Sequence, residues 1–277
     1  MGQQMNGATT KLAILRTLPE TPLLIYFCLR NARRSQDVRS LLDFLFRNDV
    51  VSFRQRLFIV KRFVRISYFV PCPHTSDEML SIITSILTLT PDLEGDVVEA
   101  GSFKGGSTAK LSIASKMMNK QLVAFDSFEG IPENEELMPN GKPYHPAGIW
   151  CGTLDEVKRN IKQYGVLEAC EFIKGWFDDT MPGFKRPIAV AYIDVDLASS
   201  TRTCLKHLFP LLVPGGVLFS QDGHLPLVVD VFDDDEFWLN EVGCPKPQIE
   251  GLGERKLIRI VKPAEGGTPG GNPWSEG

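Results

Sequence analysis

From about residue 92 onward, short apolar runs alternate with stretches of helical periodicity, and this alternation limits the fold more than any other feature. Strands that are apolar along their whole length are buried on both faces, so helices must cover both sides of a mostly parallel sheet. The fold class that we predict is α/β, with a doubly wound, mostly parallel sheet. The predicted strands are 96–100, 121–126, 171–173, 188–194, 216–220 and 256–261, and the helices among them lie near 107–118, 154–164 and 199–212.

The N-terminal part of the chain differs from the rest in charge. Lysine and arginine greatly outnumber aspartate and glutamate over residues 1–70, although the whole chain carries a net charge of −4. Apolar residues at three- and four-residue spacing predict helices from about residue 22 to 68, before the break at Pro71-Cys72-Pro73. Thr75 and Glu78 then form the start signal of a helix that runs to about Leu87. We predict a basic helical N-terminal extension (1–70), a main domain (71–263) and a disordered tail (264–277).

A basic segment on an acidic body is typical of contact with an acidic membrane surface, a nucleic acid or a partner subunit. The alternative, which we favour, is a helical extension whose arginines face solvent, and we expect no nucleic-acid partner. The longest apolar run near the N-terminus, residues 23–29, is too short to span a bilayer. The 6 cysteines lie far apart without a Cys-x-x-Cys pair, which argues against a zinc site and for a reducing compartment. We expect a cytoplasmic homo-oligomer.

A glycine-containing loop, Gly101 to Ser107, directly follows the first predicted strand. Glycines at such a turn let the backbone bend tightly and pass close to a ligand. The loop has neither the Gly-x-Gly-x-x-Gly spacing of dinucleotide enzymes nor the Gly-Lys-Ser/Thr ending of a phosphate loop. Glu99, just before the turn, would repel a pyrophosphate. An acid at this place suits a cationic ligand, such as a sulfonium amino acid, through its ammonium group.

The second predicted strand ends in Asp126. An acid at this position commonly accepts hydrogen bonds from both ribose hydroxyls of a bound nucleoside. The alternative is that Asp126 caps the turn that follows it, from Ser127 to Gly130. Because the glycine loop lies beside it in the predicted sheet, we favour ribose binding.

Acidic and amide side chains follow the fourth and fifth strands. Asp194 and Asp196 end the fourth, and Gln221, Asp222 and His224 follow the fifth, so they should lie side by side over the cleft. Carboxylates gathered there repel one another unless a cation or a proton intervenes, and oxygen ligands favour Mg²⁺ over zinc. Such an ion would bind substrate hydroxyls and lower the pKa of one. The alternative is a metal-free site in which Asp194 or His224 is the catalytic base.

The connection from residue 127 to 152 is longer than a simple link requires. It carries Tyr144, His145 and Trp150 among several acids. Loops of this length are usually functional lids or disordered segments. We predict a substrate lid.

The sequence resembles the macrocin O-methyltransferase family, the metal-dependent S-adenosylmethionine enzymes that methylate sugar hydroxyls in natural products. Matching segments lie at 96–107, 125–132, 174–182, 193–201 and 212–217, and together they cover about residues 72–262. The resemblance implies a Rossmann-like methyltransferase fold and a set of site residues. For S-adenosylmethionine, the resemblance implies that its amino-acid end is bound by Glu99, Gly101 and Ser107. Its ribose would be bound by Asp126 with Ser127, and its adenine would lie near Gly175 and Trp176. For Mg²⁺, the resemblance implies the ligands Asp194, Gln221 and Asp222. The catalytic candidates are Asp194 and His224. For Trp176, the alternative to adenine binding is a position in the core.

One departure from the family concerns the metal. The family's fifth strand usually ends in two adjacent aspartates, whereas Gln221 stands first here. A glutamine oxygen still coordinates but gives up a charge, so Mg²⁺ would bind less tightly. We predict an S-adenosylmethionine-dependent O-methyltransferase, assisted by Mg²⁺, that acts on a hydroxyl of a small sugar or natural-product molecule. The alternatives are a different acceptor (a nitrogen or carbon centre, a lipid or a macromolecule) and a non-catalytic nucleoside-binding relative.

Overall fold

The computed structural model describes residues 19–31, 35–47, 49–138 and 141–263. Its centre is a six-stranded sheet in the order β3-β2-β1-β4-β5-β6, parallel except for β6, which runs antiparallel to β5. The strands are β1 (Asp96–Ala100), β2 (Leu122–Asp126), β3 (Cys170–Lys174), β4 (Ile188–Ile193), β5 (Leu212–Ser220) and β6 (Ile258–Val261). The predicted α/β fold with a doubly wound, mostly parallel sheet is therefore confirmed.

Helices cover both faces of this sheet. The N-terminal ones are α1 (Glu20–Asn31), α2 (Ser35–Phe46), α3 (Phe53–Phe69) and α4 (Ser76–Leu87). Those between the strands are α5 (Gly106–Met117), α6 (Leu154–Tyr164), the short α7 (Phe177–Thr180) and α8 (Ala198–Leu208), and α9 (Pro226–Asp233) follows β5. Within the part of the chain that the structure describes, no helix combines the length and the hydropathy that a membrane span requires.

The start of α4 shows how the local sequence sets a helix boundary. The Thr75 hydroxyl accepts a hydrogen bond from the Glu78 backbone N–H at 3.3 Å, and the Glu78 carboxylate accepts one from the Thr75 N–H at 2.8 Å. This reciprocal pair satisfies two backbone donors that a helix leaves without partners. It fixes the end of the linker that carries residues 71–74.

The described N-terminal helices share a core with the sheet. Leu23, Phe44 and Phe63 belong to the same buried cluster as Val97 of β1 and Phe219 of β5. The opposite face of the sheet is covered by α8, α9 and the segment that follows α9. The predicted helices in residues 1–70 are thus present in the described part, while the division of the chain at residue 70 stays a prediction. The predicted tail, 264–277, lies outside the described residues.

Three elements differ from the sequence prediction. Strand β5 begins at Leu212 because Leu212 pairs with Ile188, and an irregularity in register then brings Val217 opposite Val190. Helix α9 was not predicted, nor was the helical turn Trp238–Val242 after it. The indole N–H of Trp238 donates to the Phe232 carbonyl, six residues earlier, at 2.9 Å inside the core, and this side-chain contact has no signature in the apolar periodicity.

Candidate active site

A cavity of about 500 Å³ opens at the carboxyl ends of β1, β2, β4 and β5. Its volume lies in the range of small-molecule sites. The chain order reverses between β1 and β4, and the helices that follow these two strands, α5 and α8, pack on opposite faces of the sheet. A crevice at this point is where open α/β sheets bind ligands.

The cavity brings together almost all the site residues predicted from the sequence. The predicted cofactor residues that line it are Gly101, Ser107, Asp126, Ser127, Gly175 and Trp176. The predicted metal-binding and catalytic residues that line it are Asp194, Gln221, Asp222 and His224. Glu99 alone among these residues lies behind the wall, fully buried.

A side chain at position 101 would collide with the residue that follows the neighbouring strand β4. Its φ is +89°, a backbone conformation that favours glycine, and an added Cβ would overlap the carbonyl oxygen of Asp194. The Asp194 N–H donates to the Ala100 carbonyl at 2.9 Å, which holds the ends of β1 and β4 together. The absence of a side chain therefore lets the glycine loop and Asp194 meet at one edge of the cavity.

Gly106, the first residue of α5, allows a second close approach. An added Cβ there would lie 2.5 Å from the Pro71 carbonyl oxygen and 2.7 Å from the Cys72 Cβ. The linker between α3 and α4 consequently packs directly on the start of α5. This contact brings Cys72 and His74 to the cavity, and both line it.

The carboxylate of Glu99 is buried without a partner. Neither of its oxygens accepts a hydrogen bond of ordinary geometry from the residues that the structure describes. Burial raises the pKa of Glu99 to about 8, against the opposing effect of the nearby Ser107 and Thr108 hydroxyls. An unpaired buried carboxyl is costly unless it is protonated or meets a cation. Glu99 is therefore protonated near pH 7 in the ligand-free site, and a positively charged ligand group beside Ser107 would favour its ionised form.

Asp126 organises the loops on either side of it. Its Oδ2 accepts from the Ser102 N–H at 2.6 Å, and its Oδ1 accepts from the Phe128 N–H at 2.7 Å. The second bond is the turn-capping interaction that was the alternative to ribose binding. Each carboxylate oxygen has room for a further donor, so the cap and a ribose contact are compatible. Ribose binding by Asp126 stays a prediction.

His74 meets Asp194 across the cavity, a contact that the sequence analysis did not predict. The Nε2 of His74 lies 2.8 Å from Oδ2 of Asp194, and the His74 side chain is only 5% exposed. Burial alone would lower the pKa of His74, but Asp194 and Cys72 outweigh it and raise the pKa to about 10. The Tyr192 hydroxyl, 3.3 Å from His74 Nε2, donates to Gln221 Oε1 at 3.3 Å.

Two further carboxylates complete this edge. Oδ2 of Asp222 accepts from the Val195 N–H at 3.1 Å and the Asp196 N–H at 2.9 Å. Burial raises the pKa of Asp222, and the charges of Asp194 and Asp196 add to the rise. Burial likewise raises the pKa of Asp196 to about 7, with Asp194 adding to it. Asp196 has a φ of 62° and its Oδ1 lies 3.6 Å from His145 Nε2. A non-glycine residue held in the left-handed region at a cleft is a mark of a functional position.

These side chains do not form a ready Mg²⁺ site. Within the described ranges, no three His, Cys, Asp or Glu side chains come together in a way that could hold a metal ion. Asp194 already faces the imidazole of His74, and Asp222 accepts two backbone N–H groups through one oxygen. Gln221 is neutral, and its buried Nε2 is without a described hydrogen-bond partner. As they stand, these residues do not fit the ion, and Mg²⁺ stays a sequence prediction.

The predicted lid lies over the cavity, and Glu136 attaches it to the start of α8. His145 and Trp150 from this loop line the cavity. The carboxylate of Glu136 accepts from the backbone N–H groups of Ala198 and Ser199, both at 2.9 Å, and from the Ser199 hydroxyl at 2.7 Å. The two backbone donors lie at the start of α8, where N–H groups have no partner within the helix and a negative charge is favoured. Its role as a substrate lid stays a prediction.

The remaining predicted residues occupy the rim. Trp176 is 38% exposed, so it is not the core aromatic that was its alternative. Burial lowers the pKa of His224, and Lys256 adds to this effect. A neutral His224 on the cavity wall is compatible with its predicted role as a base.

Comparison with known proteins decides the family. The sequence model of the TylF macrocin-O-methyltransferase family matches residues 77–234, more than half of the chain. The chain belongs to this family. The resemblance seen in the sequence motifs is thereby confirmed.

Two curated relatives of this TylF-family chain come from Streptomyces. The 8-demethyl-8-(2,3-dimethoxy-alpha-L-rhamnosyl)-tetracenomycin-C 4'-O-methyltransferase of Streptomyces olivaceus is 32% identical over 177 residues, which are 60% of this chain and 66% of the relative. Demethyldecarbamoylnovobiocin O-methyltransferase of Streptomyces niveus is 32% identical over 142 residues, 47% of this chain and 53% of the relative. The TylF-family chain thus spans less than two thirds of the length of each.

Solved structures support the same fold for this TylF-family member. The O-methyltransferase NovP matches with a TM-score of 0.62 at 21% identity, over 76% of this chain and 99% of NovP. A calicheamicin methyltransferase matches with a TM-score of 0.54 at 16% identity, over 83% of this chain and 92% of that one. At these identities the likeness shows the Rossmann-like fold of O-methyltransferases.

Proposed function

We propose that this chain is an S-adenosylmethionine-dependent O-methyltransferase that methylates a hydroxyl group of a small sugar or natural-product molecule. The observation that carries the proposal is that the glycine loop and Asp126 line the same cavity as the carboxylates Asp194 and Asp196. Such a cavity has one end suited to a cationic nucleoside and another suited to proton removal. Both named relatives are O-methyltransferases, one named for a rhamnosyl-tetracenomycin and the other for demethyldecarbamoylnovobiocin.

The residues around the glycine loop fit the cofactor. S-adenosylmethionine, when bound, supplies a methyl group on a positively charged sulfur. The hydroxyl of Ser107 would face its amino-acid end, with the carboxyl of Glu99 buried behind the wall near Ser107, and Asp126 would face its ribose. Gly175, with a φ of +148°, gives the backbone room to bend at the far end, next to the half-exposed Trp176.

Asp196 is the side chain best suited to take the proton from the acceptor hydroxyl. A general base works best when its pKa lies near the pH of the reaction, and the pKa of Asp196 is about 7. Asp194, whose orientation is fixed by His74, would hold the hydroxyl in place as a hydrogen-bond acceptor. The tethered lid would keep water out of the cavity while methyl transfer takes place. We assign no step to Mg²⁺.

Calorimetry with S-adenosylhomocysteine tests the cofactor half of the proposal. Asp126→Ala should weaken binding by about 1.5–3 kcal/mol, the scale of hydrogen bonds to a charged group. Asp179→Ala, a change to an exposed acid outside the cavity, is the matched control and should bind normally. An unchanged affinity in folded Asp126→Ala protein would remove Asp126 from the ribose site.

Turnover with hydroxylated acceptors tests the reaction. Purified protein, S-adenosylmethionine and a panel of glycosylated phenols and free sugars should yield a methyl ether, detected by mass spectrometry. The same panel in excess chelator separates a metal-free site, which keeps its rate, from a Mg²⁺-assisted one, which loses it. Methylation of amine acceptors alone would contradict the proposal.

A further inference from the structure

A line of alternating charges runs from helix α5 into the cavity. The Lys110 ammonium donates to Sγ of Cys72 at 3.4 Å, and the same sulfur lies 3.3 Å from Nδ1 of His74. The other ring nitrogen of His74 lies 2.8 Å from Asp194. Cys72 therefore stands between two groups that carry or accept a positive charge.

The buried ammonium group of Lys110 needs a negative charge close to it. The residue is only 3% exposed, and its ammonium lies 4.3 Å from the centre of the Phe63 ring. Burying an ammonium is costly unless a negative charge or several hydrogen bonds compensate for it. The aromatic face supplies a part of that compensation, and an ionised Cys72 would supply the rest.

We propose that Cys72 is an ionised thiol on the cavity wall and a site of covalent modification by soft carbon electrophiles or small disulfides. In the first case its sulfur attacks carbon, an S–C bond forms and the leaving group departs with its electron pair. With a small disulfide, the S–S bond breaks, a mixed disulfide forms, and the second sulfur leaves as a thiolate.

The surroundings of Cys72 support the ionised form. Burial alone would raise the pKa of Cys72, but Lys110 and His74 outweigh it and lower the pKa to about 7. The acidic groups that face it from β1 and β4 are Glu99 and Tyr192, which would be neutral near pH 7 because burial raises the pKa of each. Burial raises the pKa of other thiols in this chain, Cys170 to about 12.

A modified Cys72 would change the cavity in two ways. The backbone of the linker lies against Gly106, so an added group has no space on that side and must extend into the cavity. The adduct would also remove the negative charge between Lys110 and His74, leaving two cations next to each other. Modification would therefore reduce the affinity for ligands in the cavity.

Peptide-resolved alkylation with iodoacetamide tests the proposal. The folded full chain is pulsed with iodoacetamide between pH 5.5 and 9.5, and the rate at each cysteine is read by mass spectrometry. Cys72 should reach half of its maximal rate near pH 7, whereas an ordinary thiol does so at about 8.5. Cys28 and Cys244, whose pKa burial raises, serve as internal references and should react at higher pH.

Lys110→Met supplies the second measurement, with Lys116→Met, an exposed position on the same helix, as its control. Loss of the Lys110 charge should move the Cys72 midpoint up by about one pH unit or more, and Lys116→Met should leave it in place. A wild-type midpoint at 8.5 or above, or equal midpoints in the two variants, would overturn the proposal. The experiment involves no methyl transfer, so its outcome is independent of the proposed enzymatic function.

Discussion

His74 and Asp194 are 120 positions apart in the chain, yet their side chains meet at 2.8 Å inside the cavity. The contact depends on the linker between α3 and α4, which packs on Gly106. It gives Asp194 a fixed orientation from an element outside the sheet.

The first prediction concerns this pair. His74→Ala should lower kcat by about 10- to 100-fold, since a hydrogen bond to a charged group is worth about 1.5–3 kcal/mol. His74→Gln, whose amide can still donate to Asp194, should recover part of the loss. S-adenosylhomocysteine affinity, measured by calorimetry, should stay the same in both variants. A normal kcat in His74→Ala would mean that the orientation of Asp194 does not limit the reaction.

The pH dependence of turnover tests Asp196. A carboxyl that accepts a proton works only when ionised, so kcat should rise with pH and level off above about 7, the pKa of Asp196. Asp196→Asn should lower kcat by roughly 10²–10⁴-fold and remove this rise. Asp179→Asn is the control at an exposed position. A similar loss in His224→Ala and none in Asp196→Asn would identify His224 as the base.

The stability of the ligand-free protein should depend on pH through Glu99. Its pKa is about 8 when folded and lies near 4.5 when unfolded, so the folded state binds more protons between these values. Stability from this group is then present below about 4.5 and is lost as the pH rises toward 8. Calorimetric Tm values at pH 5 and pH 8 should differ less for Glu99→Gln than for wild type. Glu94→Gln, at an exposed position, should behave like wild type, and equal Tm differences for all three proteins would rule this role out.

Glu136 should hold the lid closed. Its carboxylate accepts three hydrogen bonds at the start of α8, and Glu136→Ala removes all of them. Limited proteolysis should then cut the loop between residues 127 and 152 at least several times faster, and KM for the acceptor should rise. Glu135→Ala provides a neighbouring control. Unchanged proteolysis would show that other contacts hold the loop.

Gln221 tests the metal prediction directly. If Asp194 and Asp222 bind Mg²⁺, Gln221→Asp should tighten it, because an added negative charge attracts a divalent cation more than a neutral amide does. Titration calorimetry with MgCl₂ measures this, with Gln163→Asp, an exposed position, as the control. Equal affinities in the two variants would contradict a metal site at these residues.

The sequence was sufficient to predict the strands of the sheet and most of the residues that line the cavity. Apolar strands and the glycine loop have local signatures, so the six strands and residues such as Gly101 and Asp126 were found within a few positions. Contacts between distant segments have no such signature. His74 follows a proline-rich break that reads only as a linker, and Glu136 is one of several acids in a long loop. Both gain their roles from neighbours that the fold supplies.

The shared core of the N-terminal helices and the sheet has a consequence for synthesis of the chain. Leu23 is made early, but Phe219, a member of the same buried cluster, follows almost two hundred residues later. At about 5–20 residues per second, the ribosome needs on the order of 10 to 40 seconds to cover that distance. During this time the part of the core that β5 contributes is missing, so the apolar side chains of the N-terminal helices that pack on it stay exposed. The yield of folded protein in a cell should therefore depend on elongation rate and on chaperones that protect the nascent chain.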